Sequence, residues 1–238
     1  MSRIIKKIPA KEHSWDNGTI TREVTAKRDG KKIYKCPDCT QTKEEDIPKF
    51  YANYIVTTTG TAKKRGTVAY TGGFEETEKV FTIPATVVID GITYDVTSIA
   101  ENAFRNNQTI TKVTIASSVT KIGKYAFSGC KKLKSVTINN NIKIIEDEAF
   151  YKCTSLTKIT IPKKVNKIGK SAFEGCKKLK TITIKTTKLT SKNVEKNAFK
   201  GIYKKATCKV PKSKLKSYKS LLKKKGMGTK VKIIILIL

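Results

Sequence analysis

Between residues 99 and 211 one pattern of apolar and polar positions recurs every 23 residues. An Ala-Phe pair marks each copy: Ala103-Phe104, Ala126-Phe127, Ala149-Phe150 and Ala172-Phe173, with Ala198-Phe199 following after a three-residue insertion. Five residues before each of the first four Phe stands Ile99, Ile122, Ile145 or Ile168, and six residues after it stands Ile110, Leu133, Leu156 or Leu179. Further on come the apolar pairs Val113 and Ile115, Val136 and Ile138, Ile159 and Ile161, Ile182 and Ile184, then Cys208 and Val210. Positions in between vary among Lys, Thr, Ser and Asn. A fixed period of this kind marks a solenoid, in which no unit can bury its apolar side alone and each stacks on its neighbours.

The stretch Val-Thr-Ile or Ile-Thr-Ile alternates apolar, polar, apolar and is β-branched throughout, which predicts one half-buried strand per repeat. Stacked in register, these strands build a parallel sheet along one side. The chain returns through the Ile-Gly-x-x-Ala-Phe segment, where Gly123 and Gly169 are expected to allow a tight turn and the Phe column to fill the interior. The polar position inside each strand is Thr114, Thr137, Thr160 or Thr183, continued by Lys209. Two residues earlier lie Lys112, Ser135, Lys158 and Thr181. A threonine ladder on the open sheet face follows from the period. Cross-strand Thr pairs stabilise sheets by about 0.2–1 kcal/mol each, so stability alone is one explanation for the ladder and ligand contact the other.

The pattern Val-x-x-Ile-Gly-x-x-Ala-Phe-x-x-Cys-x-x-Leu-x-x-Val-x-Ile, at Val119–Ile138 and again at Val165–Ile184, resembles the BspA-type leucine-rich repeats. The resemblance covers roughly residues 80–211. It implies a leucine-rich-repeat solenoid, a setting on bacterial surfaces, and a sheet face used for ligands: here Lys112, Thr114, Ser135, Thr137, Lys158, Thr160, Thr181 and Thr183. It carries no catalytic residues.

Four segments follow from the pattern. Residues 1–48 contain His13-Ser14-Trp15-Asp16-Asn17-Gly18 and, later, Cys36-Pro37-Asp38-Cys39, and resemble the short Cys-containing modules that occur in tandem in clostridial surface proteins. Residues 49–98 read as a β-rich N-terminal cap, with runs at 51–58 and 67–71 and a hairpin around Asp90-Gly91, a pair suited to a type I′ turn. Residues 99–211 are the repeats. Residues 212–238 read as a C-terminal cap helix and a last strand: Leu215, Tyr218, Leu221 and Leu222 share one helical face, between Pro211 at the entry and Gly226 at the exit. The apolar Ile233–Leu238 is far shorter than the roughly 20 residues a membrane span needs.

Charge sharpens the picture. From 111 to 238 there are 33 lysines, no arginine and five acidic residues (Glu146, Asp147, Glu148, Glu174, Glu195), a net of +28 out of +31 for the chain. Such a field favours polyanions of any kind: wall teichoic acids, nucleic acid, sulfated glycans and anionic lipid. The missing arginine argues against nucleic acid as a specific partner, because Arg is the usual bidentate reader of phosphate and guanine. No secretory signal is apparent at the Met1 start, and a chain cut from a longer exported array is the preferred explanation.

Chemistry is sparse. Cys130, Cys153 and Cys176 repeat with the period and read as small buried apolar residues. Cys36 and Cys39 suit half a zinc site with His13, a local disulfide, or plain thiols. The resemblance to the Cys-containing modules implies a further Cys near Ala26, and its absence leaves a four-ligand zinc site one short. With a single His, neither a triad nor a two-His metal site fits within the repeats. The sequence points to a non-catalytic, adhesin-like surface module without cofactor, engaging a host or bacterial protein or glycan. A basic spacer held electrostatically on anionic cell-wall polymers is the alternative.

Overall fold

The computed structural model describes residues 19–22, 30–37, 39–47, 50–51, 53–61, 63–72, 78–89 and 91–237. The chain divides into two compact units, Met1–Ala52 and Asn53–Leu238. In the first, β1 (Thr19–Arg22), β2 (Gly30–Lys35) and β3 (Thr42–Ile47) form an antiparallel sheet in that order, and β4 (Phe50–Tyr51) is a two-residue strand. The cysteine pair makes the turn between β2 and β3. The Cys36 amide donates to the Gln41 carbonyl at 3.1 Å, and the Gln41 amide donates to Cys39 Sγ at 3.4 Å. His13 and Ala26 lie outside the described residues.

In the second unit the 23-residue period becomes a β-solenoid of about seven turns. Its main sheet is wholly parallel and runs β7 (Val80–Ile83), β10 (Lys112–Ile115), β12 (Ser135–Thr137), β14 (Lys158–Ile161), β16 (Thr181–Ile184), β17 (Thr207–Val210) and β18 (Lys232–Ile235). Register is strict: Val113 faces Val136, and Ile159 faces Ile182, which faces Cys208. Slipping by one residue would turn every isoleucine out to water, so burial of one face holds the alignment. The first rung, β7, lies inside the segment expected to cover the stack, so that segment also supplies a rung of its own.

The return side carries a second ladder that the pattern did not announce. The short strands β11 (Lys121–Ile122), β13 (Ile144–Ile145) and β15 (Lys167–Ile168) pair in parallel and continue into β9 (Ile92–Ile99), β6 (Gly66–Tyr70) and β5 (Tyr54–Thr58). β8 (Thr86–Ile89) folds back on β9 as the expected hairpin, with Ile89 opposite Ile92. Gly123 and Gly169 act differently from expectation. Neither has a positive φ; they are small because neighbouring turns touch, and a Cβ on Gly123 would sit 2.6 Å from the Ile99 carbonyl oxygen. The sharp bends fall at two left-handed columns, Asn102, Tyr125, Glu148, Ser171 and Asn197 two residues before each Phe, and Asn106, Gly129, Lys152, Gly175 and Gly201 two residues after it.

Between the ladders lies a dry core. Phe104, Phe127, Phe150, Phe173 and Phe199 stack face on face, with centroids 4.9–5.5 Å apart and planes within 12°. Offset ring stacks add about 0.5–1.5 kcal/mol per pair beyond burial. The amide of Phe127 donates to the Ala149 carbonyl at 2.8 Å, and Phe150 and Phe173 repeat the bond to Ala172 and Ala198, so the backbone beneath the rings is also laddered. The Cys column is buried as expected and does more than pack. Cys130, Cys153 and Cys176 each donate through Sγ to the carbonyl of the previous repeat's Phe at 2.9, 3.0 and 3.1 Å.

At the far end, a 3-10 turn (Lys212–Lys214) leads into α1 (Leu215–Lys224), which forms the right-length crossover between parallel neighbours β17 and β18. Tyr218 and Leu222 are buried, while Leu215 and Leu221 are half-buried. The Tyr218 hydroxyl accepts from the Leu189 amide at 3.0 Å and donates to the Thr186 carbonyl at 3.1 Å, tying down the inserted loop. No helix among the described residues is long and apolar enough to cross a membrane.

Candidate functional site

The four-residue strands β10, β14, β16 and β17 each bury two side chains and turn two outward, while β7, β12 and β18 bury one each. In β10, Val113 and Ile115 point inward while Lys112 and Thr114 point out, and β14 and β16 repeat the arrangement. The eight residues picked from the pattern therefore share one open face. Lys112, Ser135, Lys158 and Thr181 form one column, linked by direct strand register, and Thr114 faces Thr137 as Thr160 faces Thr183 in the other. Thr137 and both lysines are exposed; Thr114, Thr160, Thr181, Thr183 and Ser135 are half-buried by their neighbours.

The face runs beyond those eight. Val80 pairs with Lys112 and Thr82 with Thr114, so β7 adds a rung at one end. Thr207 and Lys209 continue the columns, and Lys232 and Ile234 end them. Val80 is 58% exposed and Ile234 42%, so each end of the face carries an exposed aliphatic side chain. The signal for β7 was present: Phe81-Thr82-Ile83 repeats the apolar-Thr-Ile triplet of later strands. It escaped the period because the β8–β9 hairpin intervenes.

Charge is sorted between the two sides. All five carboxylates after residue 110 lie on the return segments, where they take up lysines: Glu146 pairs with Lys121 and Lys167, both at 3.2 Å, and Glu174 with Lys200 at 3.6 Å. Burial pushes the Glu146 carboxyl up, but hydrogen bonds from Lys167 and Lys121 outweigh it and leave it below its ordinary value. A shallow cleft of about 340 Å³ opens beside this cluster, lined by Ser98, Glu101, Lys121, Lys124 and Glu146 among others. Its lone ion-paired Glu146, beside an exposed Glu101, does not make a facing acid–base pair.

Nucleophile chemistry is also muted. Burial pushes the thiols of Cys130, Cys176 and Cys208 up to about 12, and Cys153 well above its ordinary value, so none is a thiolate at neutral pH. Among the described residues, no group of three His, Cys, Asp or Glu side chains is placed to hold a metal ion.

A parallel β-solenoid with an open strand face, a stacked Phe interior and a 23-residue period is a leucine-rich-repeat architecture. The chain belongs to the family described as the BspA type Leucine rich repeat region, whose model matches six copies across residues 92–224. That repeat family is typically non-catalytic. Among solved structures, a leucine-rich repeat protein from Bacteroides capillosus is 31% identical, with 57% of this chain and 96% of that chain covered and a TM-score of 0.49. The pneumococcal vaccine antigen PcpA is 18% identical over 79% of this chain and 48% of that chain, with a TM-score of 0.52; the likeness is one of fold, and the match spans about half of PcpA. A leucine rich cell surface protein from Faecalibacterium prausnitzii is 20% identical over 81% of this chain and 77% of that chain, with a TM-score of 0.26. No curated protein matches the chain in sequence.

Proposed function

We propose that this chain is a non-catalytic binding module displayed at a bacterial cell surface, engaging a protein or glycan through the open face of its main sheet. The supporting observation is the in-register array from Lys112 and Thr114 to Thr181 and Thr183 on one uninterrupted parallel sheet. Such a face presents a hydroxyl at every rung, about 4.8 Å apart, and an ammonium at every second one, which suits an extended or repetitive partner better than a small molecule. The surface setting rests on family membership and agrees with the description of PcpA as a vaccine antigen. In this reading residues 1–48 form a separate Cys-containing module, 49–98 cover the first rung, 99–211 carry the face and 212–238 close the far end.

Introducing carboxylates into the middle of the face tests the reading. Thr137→Glu/Thr160→Glu should abolish salt-resistant binding to bacterial or host cell surfaces while leaving the fold intact by circular dichroism. Binding that is equal in both proteins and disappears with salt would instead support a basic spacer held on anionic wall polymers. The net charge of +28 after residue 110 favours that second reading.

A further inference from the structure

The lysines beside the sheet follow a rule that spans two columns. In the four rungs from β10 to β16 the residues at the strand entrance, the strand's first residue and the one before it, lie between two buried positions, such as Leu133 and Val136, and both turn outward at the corner; Lys79 and Val80 are exposed at the same place in β7. Across five successive rungs this pair reads Lys79–Val80, Thr111–Lys112, Lys134–Ser135, Thr157–Lys158 and Lys180–Thr181. Backbone bonds hold the pairs in register: Thr111 donates to the Lys79 carbonyl at 2.7 Å, Lys134 to Thr111 at 2.8 Å, Thr157 to Lys134 at 3.2 Å and Lys180 to Thr157 at 2.9 Å. Every rung carries one lysine, and the lysine switches column at each step. The result is a zigzag row of ammonium groups, with neighbours one rung apart (about 4.8 Å) and same-column lysines two rungs apart.

The five lysines are exposed, and among the described residues none forms an ion pair. Glu75, Glu76 and Glu78 lie close to Lys79 in sequence, so the uncompensated stretch runs from Lys112 to Lys180. Lys180 Nζ also lies 5.7 Å from the ring centre of Tyr203. Stacking like charges in one column would set them one rung apart; alternation separates them while keeping one cation per layer.

We propose that this corner binds a linear acidic polysaccharide laid along the stacking direction, deepening the face-binding reading on which it rests. In a ribbon-like glycan whose sugars flip at each linkage, acidic groups alternate between the two edges at about one sugar per rung. Alternate lysines meet alternate edges, and Thr111, Ser135, Thr157 and Thr181 set a hydroxyl beside each contact. Nucleic acid fits less well. The outward positions of the main sheet hold no aromatic side chain on which bases could stack, and no arginine follows residue 110.

The test uses the full chain with oligomers of polymannuronic acid, cello-oligosaccharides as the uncharged ribbon, and oligo(dT), by calorimetry across a salt series. Lys112→Ser/Lys134→Thr/Lys158→Thr/Lys180→Thr installs residues that adjacent rungs already carry. Lys143→Thr/Lys163→Ser/Lys170→Ser/Lys196→Ser removes the same charge elsewhere. Polymannuronate should bind, weaken with salt, and lose about tenfold or more in affinity in the first variant while the second changes little. Equal losses in both variants, tighter binding of oligo(dT), or binding of the neutral ribbon as strong as the acidic one would each overturn the proposal. If Thr137→Glu/Thr160→Glu abolishes cell-surface binding yet polymannuronate does not bind wild type, the polysaccharide proposal fails and the face reading stands. Surface binding that survives the Glu pair sinks the face reading and this proposal with it.

Discussion

Replacing single phenylalanines by leucine along the ring stack should cost more where more rings are lost. Phe199 meets one ring, Phe173, at 5.5 Å. Phe150 meets two, Phe127 and Phe173, at 5.1 and 5.3 Å. Phe104 meets at least three: Tyr70 at 5.3 Å, Phe81 at 5.5 Å and Phe127 at 4.9 Å. Phe104 is 1% exposed and the other two 0%, so the loss of burial is nearly constant across the series. With each ring pair worth about 0.5–1.5 kcal/mol, Phe150→Leu should destabilise by that much more than Phe199→Leu, and Phe104→Leu by at least as much again. For a chain of this size each kcal/mol lowers the melting temperature by about 2–4 °C. Urea unfolding followed by circular dichroism measures the series, with unchanged m-values showing that the array still unfolds as a unit. Equal losses at all three positions would refute a stacking contribution and leave burial as the whole effect.

Three further outcomes are expected. Tyr218→Phe strands the buried Leu189 amide and should cost about 1–3 kcal/mol in urea unfolding, whereas Tyr203→Phe should be nearly neutral. The thiols of Cys130, Cys153, Cys176 and Cys208 should resist an aromatic disulfide reagent at pH 8 until denaturant is added, which thiol counting in native and unfolded protein checks. Glu146 titrates below its ordinary value when folded, so its contribution is present above the unfolded carboxyl range, near pH 4.3, and is lost as pH falls through the folded value. Glu146→Gln should remove that part of the acid sensitivity, about 1 kcal/mol or less because the partner lysines are 40–47% exposed.

How far the chain could be read from its residues depended on which forces repeat. The Ile, Leu and Phe columns were legible because each must fill the same slot in every layer. The threonine face followed, since the side opposite a buried isoleucine in a strand is open. The second ladder was not legible: Lys121–Ile122 and its counterparts are two residues long, too short to show alternation, and exist because the turns above and below offer backbone partners. β7 was hidden by the hairpin between it and β10. The thiol-to-carbonyl bonds were invisible for a different reason, because a buried cysteine has the same pattern whether it merely packs or also donates. The lysine row escaped a reading made one column at a time, since neither column alone is regular enough to stand out against so many other lysines.

The zigzag gives the molecule two units of inheritance. The core tolerates gain or loss of a single 23-residue turn, because every layer offers its neighbours the same Phe, Ile and backbone partners. The charged corner does not: deleting one turn would bring two lysines into adjacent places in one column, while deleting two would leave the alternation intact. Length variants that arise by unequal recombination should therefore survive as folded proteins in steps of one repeat, and keep their surface pattern only in steps of two.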